Sequence, residues 1–337
     1  MVSRSDVQER QDGTTVAPAA DWRHLPLVSV GIPTYNRMDM LQRAVKSVLA
    51  QDYINLEVII SDNASTDGTR AYCEELAQRD CRVRYIRQSR NIGPTANMVT
   101  VLDQSRGDFY MLLCDDDWLD RTYVSDCVST LLERPELILV CGKPLLYEGD
   151  RWIGEGVKTN LLQDCARDRV RAYFRQVEEN GAVHGLIRRN VLMRLPSMPN
   201  IMGGDWLYVA SIAFLGKVKT LDSSAIHKSK GGISRTPHSL RQAMGLTGFK
   251  SRFQRVNMLA SVIKDIAWTS PVYERLGASG RLSLAAQVAL GLLTRVVARE
   301  ASKRARYRLL EIAPQRSDRS AGTSARYQED RQEVGWL

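Results

Sequence analysis

The sequence predicts an α/β fold built on a mostly parallel sheet. Between Leu27 and Cys141, short apolar runs rich in β-branched residues alternate with longer amphipathic segments, which is the pattern of successive βαβ units. Polar turns rich in Asp, Asn and Gly follow the ends of these runs, where α/β sheets bind ligands. Three consecutive carboxylates, Asp115-Asp116-Asp117, close the apolar run Phe109–Cys114.

The first strand runs over Leu27–Ile32 and stops at Pro33. A helix over Met38–Gln51 places Leu41, Ala44, Val45, Val48 and Leu49 on one face. Leu56–Ser61 reads as a strand, Thr69–Arg79 as a helix, Val83–Arg87 as a strand and Pro94–Ser105 as a helix. Phe109–Cys114 is the fourth strand, Thr122–Glu133 a helix and Leu137–Cys141 the fifth strand. After Gly142 the pattern loosens. Short strands are expected over Pro144–Gly156, a helix over Arg167–Glu178, a strand at His184–Ile187, a helix over Trp206–Leu215 and a strand at Lys217–Leu221. From Ser239 the character is helical, with a break near Pro271. The segment Leu282–Ile312 carries apolar residues at Leu282, Ala285, Ala289, Leu292 and Val296, and a basic stripe at Arg295, Arg299, Lys303 and Arg306.

The chain of 337 residues divides into a disordered arm (1–24), a main domain (25–235, with halves 25–142 and 143–235), a helical region (236–313) and a disordered tail (314–337). Its first residues contain no apolar signal core, and no stretch approaches the roughly 18 apolar residues needed to span a bilayer. Six scattered cysteines without a C-x-x-C pair point to a reduced, cytoplasmic compartment and no structural zinc. The net charge of +9 suits an anionic partner. No zinc-finger, RNP-like or G-x-x-x-x-G-K-[ST] pattern directs that charge to nucleic acid or to a P-loop nucleotide. A basic amphipathic helix over 282–312 suits peripheral contact with an anionic membrane, at its inner face, or packing on the main domain with an exposed basic edge.

Adjacent carboxylates repel one another unless a cation lies among them, and a hard divalent ion, Mn²⁺ or Mg²⁺, suits oxygen ligands. An acidic turn that caps the next helix is the plain alternative. Three further motifs share the same expected sheet edge: Pro33-Thr34-Tyr35-Asn36-Arg37, Asp62-Asn63-Ala64-Ser65-Thr66-Asp67-Gly68-Thr69 and Asn91-Ile92-Gly93-Pro94. Each alone reads as a turn or helix cap.

As an ordered set, these motifs and Leu112-Leu113-Cys114-Asp115-Asp116-Asp117-Trp118-Leu119 resemble the family 2 glycosyltransferases, inverting enzymes of the GT-A fold. The likeness is strong over 27–142 and weak to about 235. It implies a Rossmann-like, mostly parallel central sheet with flanking helices, plus a C-terminal helical region. It further implies a nucleoside-diphosphate-sugar donor, UDP- or dTDP-linked. One sugar would pass to an acceptor hydroxyl, on a saccharide or lipid-linked acceptor, in surface polysaccharide or glycolipid assembly. Donor contacts fall on Pro33, Thr34, Tyr35, Asn36, Arg37, Asp62, Asn91, Gly93, Asp115, Lys228 and Arg235. Tyr35 would lie along the base and Asp62 would accept its imide N–H. The metal falls on Asp116, with Asp115 and His227 as partners, because Cys114 stands where the family's first acid would be. Asp117 is expected either to support the ion's ligands or to cap the next helix, and is the member of the triplet least expected to touch the ion. Asp205 is the expected general base, alone because Gly204 replaces the first member of the usual acidic pair. His184 reads as structural. The rival readings are a nucleotidyltransferase acting on sugar phosphates, which would want a Gly-rich loop after strand one, and a scaffold of this fold without catalysis.

Overall fold

The computed structural model describes residues 24–178, 180–201, 203–230 and 254–312, with backbone alone at 254–255 and 296–312. The expected N-terminal arm (apart from His24), the Gly231–Arg235 part of the late loop and the C-terminal tail lie outside the described residues.

Nine strands form one sheet among these residues: β1 (Val28–Thr34), β2 (Leu56–Asp62), β3 (Val83–Arg87), β4 (Phe109–Leu112), β5 (Trp118–Leu119), β6 (Leu137–Glu148), β7 (Arg151–Glu155), β8 (Leu186–Arg188) and β9 (Lys217–Ser229). Their order is β3-β2-β1-β4-β8-β6-β9-β5, with β7 paired to β6. The helices are α1 (Met38–Leu49), α2 (Thr69–Arg79), α3 (Pro94–Asp103), α4 (Tyr123–Glu133), α5 (Ala166–Gln176), α6 (Arg189–Leu192), α7 (Gly204–Leu215), α8 (Gln254–Lys264) and α9 (Gly277–Ile312).

The first four strands are parallel and match the expected alternation closely. β1, β2 and β4 are buried on both faces, whereas the edge strand β3 is mostly half-buried, and side chains sort by the period of two. Val28, Val30, Ile32, Val58, Ile60 and Met111 pack in one core with Leu41, Val45 and Val48 of α1 and with Tyr123, Val124 and Leu131 of α4. Ile59, Tyr110 and Leu112 point the other way, into a core built with α5, α7, α8 and α9.

The second half departs from a parallel continuation. β8 inserts antiparallel between β4 and β6, and β5 pairs antiparallel with β9. The sheet is therefore mixed. A three-residue strand such as β8 carries no periodicity from which its direction could be read. β6 and β9 also run far past their expected ends and pair in parallel from Leu137↔Lys217 to Tyr147↔Ser229.

α7 is buried nearly all round. Its last carbonyls are capped by Arg169, whose Nε donates to Ala213 O at 2.6 Å and Nη2 to Phe214 O at 3.2 Å, while Arg275 adds a bond to Phe214 O at 2.9 Å. The chain breaks near Pro271 as expected, through a π-turn at Asp265–Thr269 and a 3-10 turn at Pro271–Leu276. Two expectations for the C-terminal region change. Contrary to the expectation that no stretch is long enough, Pro271–Arg295 could cross a bilayer by length and composition alone, its apolar residues being interspersed with Glu274, Arg275, Arg281 and small polar residues. On α9, Leu284, Ala285, Val288 and Leu292 face the core, whereas Leu282, Ala286, Leu290 and Leu293 face out. Arg295, read as the start of an exposed basic stripe, turns inward to Phe174 O (3.4 Å) and Glu178 (3.2 Å).

Candidate active site

The strand order reverses at β1, whose neighbours are β2 on one side and β4 on the other. Such a switch point opens a crevice at the carboxyl ends of the strands, and three of the four motifs converge there on direct contacts. Thr34, the last residue of β1, donates its hydroxyl to Asp115 Oδ2 at 2.8 Å. Arg37 Nη1 lies 3.0 Å from Asp115 Oδ1 and 3.2 Å from Asp116 Oδ2. One guanidinium thus offsets two of three crowded carboxylates. Burial still dominates at Asp115 and pushes its carboxyl up to about 6, against the lowering effect of Arg37. Asp116 Oδ1 accepts no hydrogen bond among the described residues, so one hard oxygen of the triplet remains open to a cation.

Asp117 turns the other way. Its Oδ1 accepts the Ser229 amide at 3.0 Å, and its Oδ2 lies 3.5 Å from His184 Nε2. Burial, with Asp116 beside it, raises the Asp117 carboxyl to about 7. His184 Nδ1 is 2.9 Å from Leu112 O, and burial lowers this ring to about 3. His184 was expected to be structural; its contact with the triplet had no signal in the sequence.

The turn after β1 is held in a conformation few residues adopt. Asn36 has φ 53° and Ala64, in the facing loop after β2, has φ 64°. Asn is a tolerated residue there and Ala is not, so Ala64 stores strain beside the crevice. The two loops lock together through Asn36 N to Ser65 Oγ at 2.9 Å and Thr66 N to Asn36 Oδ1 at 2.7 Å. Tyr35, at 41% exposure, leaves its ring open at this rim. Asn91 Oδ1 accepts from Asn63 Nδ2 at 2.9 Å and from Gly93 N at 2.8 Å, tying the third motif to the second.

Asp62 is fully buried and already engaged. Oδ1 accepts the Ser65 amide at 2.7 Å, while Oδ2 accepts Tyr85 Oη at 2.8 Å and Arg87 Nη1 at 2.6 Å. Asp67 accepts from the amides of Thr69 (3.0 Å) and Met38 (3.1 Å), a cap for two helices.

Asp205 opens α7. Asn180 donates to its Oδ2 at 3.0 Å and is itself held by Tyr173 Oη at 3.0 Å. Burial raises the Asp205 carboxyl, with the Asn180 bond and the charge of Lys228 opposing. Lys228 also acts on Cys114, Asp117 and His184, so one cation lies within electrostatic reach of both the triplet and Asp205. Gly204 leaves no room for an acid: a Cβ there would meet Pro199 O at 2.1 Å.

His227 is engaged elsewhere. Its Nε2 is 2.8 Å from Asp120 Oδ1, its Nδ1 is 3.2 Å from Tyr147 Oη, and its ring stacks on Trp118 at 5.1 Å. Arg43 covers the Trp118 ring at 3.7 Å and donates to Asp116 O at 3.3 Å. His227 therefore braces the triplet from behind. Arg235 lies outside the described residues.

Residues 29–199 match the sequence model of the family described as Glycosyl transferase family 2. The chain is 39% identical over 111 residues to GalNAc(5)-diNAcBac-PP-undecaprenol beta-1,3-glucosyltransferase of Campylobacter jejuni, covering 33% of this chain and 35% of that relative's length. It is 32% identical over 258 residues to an uncharacterised glycosyltransferase of Haemophilus influenzae, covering 75% of this chain and 91% of the relative. Among solved structures, S. aureus TarS 1-349 in complex with UDP-GlcNAc superposes with a TM-score of 0.53 at 17% identity, over 80% of this chain and 72% of that one. The mannosyltransferase PcManGT of Pyrobaculum calidifontis, in complex with GDP-Man and Mn²⁺, does so with a TM-score of 0.50 at 18% identity, over 83% and 77%. These likenesses establish the fold, of the GT-A type.

Proposed function

The chain belongs to glycosyl transferase family 2, and from that premise we propose that it moves a single sugar, with inversion, from a UDP- or dTDP-sugar to an acceptor hydroxyl. The observation that carries this reading is the pairing of Asp115 and Asp116 with Arg37 and Thr34 at the switch point, beside Lys228, whose charge also acts on Asp205. Tyr35 offers its open face to the base. Asp62 meets the imide N–H once Arg87 turns aside, Asp115 holds the ribose, and Lys228 with Arg235 meets the diphosphate. Pro33, Thr34, Asn36, Asn91 and Gly93 shape the loops that hold the donor.

Asp116, through its open Oδ1, and Asp115 suit a hard divalent ion, whose chemistry is to neutralise charge on the departing diphosphate. Mn²⁺ fits the precedent of the bound mannosyltransferase. His227 is assigned to the supporting wall, because both of its ring nitrogens have partners.

Asp205 takes the proton of the acceptor hydroxyl as its oxygen attacks the anomeric carbon. The bond from that carbon to the diphosphate oxygen breaks, and the electron pair leaves with the nucleoside diphosphate. Asn180 aims the carboxylate, and burial raises its basicity toward what proton abstraction needs. The undecaprenol-linked acceptor in the Campylobacter relative's name supports a glycolipid or polysaccharide acceptor. The outward row Leu282, Ala286, Leu290 and Leu293 on α9, with Trp268 exposed nearby in sequence, supports docking at an anionic membrane.

The test is a screen of nucleotide sugars for metal-dependent release of nucleoside diphosphate. The expected result is release with a uracil or thymine donor that Asp116→Asn abolishes. Full turnover in Asp116→Asn, or none with any donor, overturns the reading.

A further inference from the structure

We propose that Cys114, Asp117 and His184 form a binding site for a borderline divalent cation of the zinc class, separate from the hard-cation position on Asp116. Their ligand atoms (one sulfur, one carboxylate oxygen, one ring nitrogen) all lie within 4.8 Å of one another. The decisive feature is the state of His184. Its Nδ1 is 2.9 Å from the Leu112 carbonyl oxygen, which can only accept, so Nδ1 carries the proton. In a neutral ring, Nε2 then presents a lone pair. That lone pair lies 3.5 Å from Asp117 Oδ2, another acceptor, and the two side chains are 5% and 4% exposed. Two acceptors so placed repel unless a proton or a metal ion lies between them, and the Cys114 sulfur beside both supplies the third ligand that a metal ion would need.

The spacing suits a bridging ion. Two ligands each about 2.0–2.1 Å from a tetrahedral zinc stand roughly 3.3 Å apart. The Nδ1-to-carbonyl bond is the outer-shell contact that fixes metal-binding histidines. A thiolate, a carboxylate and a neutral imidazole together cancel a charge of +2, which removes the cost of a net buried charge. The sulfur selects against Mg²⁺. Three protein ligands leave the fourth position of a tetrahedral ion to water. Lys228 is the other cation felt here, but it makes no ion pair within 4.0 Å of Asp117. An ion held so would fasten the end of β4 to the turn before β8 and, through the Asp117–Ser229 bond, to the end of β9. The ligands are 67 residues apart at the widest step, Asp117 to His184, so cysteine spacing gives no hint of the site.

The test uses the full chain, stripped with a chelator and titrated with Co²⁺ alone. The expected result is one Co²⁺ per chain that gives near-ultraviolet thiolate-to-cobalt charge-transfer absorption, counted by that absorption so that an ion on Asp116 does not add to it. Cys114→Ser should abolish that absorption and weaken binding by more than the roughly 10–100-fold typical of losing an outer-shell partner. Asp116→Asn should leave the absorption unchanged while abolishing sugar-nucleotide turnover, so the two readings fail separately. Absence of stoichiometric Co²⁺ binding, as a proton shared by Asp117 and His184 would give, overturns the proposal. So does absorption that survives Cys114→Ser or disappears in Asp116→Asn.

Discussion

Asp205 carries opposing influences, and burial is the larger: its carboxyl sits above the ordinary value despite the Asn180 bond and the Lys228 charge. A raised folded value means that the ionised group costs stability above the unfolded value of about 3.9, and that this cost fades as pH falls through the folded value. Asp205→Asn removes the cost together with the proposed base. It should lower kcat by about 10²–10⁴-fold while melting no lower than the native chain at neutral pH, as steady-state kinetics and thermal denaturation would show. Asn180→Ala removes the bond that holds the carboxyl down, so the acid limb of the pH–kcat profile should move to higher pH; an unmoved limb would exclude Asp205 as the titrating base. At this scale the sequence marked the triplet and Asp205 through motif order. It gave no sign of Asn180, Arg87 or the His184–Asp117 contact, because those partners arrive from elements distant along the chain.

Among the elements, α7 decides whether Asp205 is in place. The helix is apolar on every side, so its polar ends are where its position is specified. Arg169 reaches four carbonyls, of Gln163, Asp164, Ala213 and Phe214, from a nearly buried position. Arg169→Leu should cost about 3 kcal/mol, read as a lower denaturation midpoint, because buried carbonyls lose their donor. A substitution without effect would show that water replaces the guanidinium. Gly204 was read from sequence as a lost acid. Contact with Pro199 O explains why no side chain stands there, and that contact exists only in the folded chain.

At the scale of the whole molecule, the sheet divides two cores, and α9 belongs to one of them by its inner face only. Its outer row leaves Leu290 at 64% and Leu293 at 50% exposure. Leu290→Glu with Leu293→Glu should leave the unfolding free energy within about 1 kcal/mol of the native value, since neither side chain is in the core. The double variant should lose co-flotation with anionic phospholipid vesicles. Retained flotation would overturn the proposed role of this row in membrane docking.

The sequence by itself determined the α/β alternation through β4, the edge on which the four motifs lie and the family they mark. Each of these rests on local periodicity and on residues close along the chain. Only the tertiary structure decided the mixed direction of the sheet, the division of the triplet between Arg37 and His184, the contacts of His227 with Asp120, Tyr147 and Trp118, and the two-faced burial of α9. Those outcomes depend on side chains brought together from distant segments, where packing and the cost of unpaired buried polar groups override local pattern.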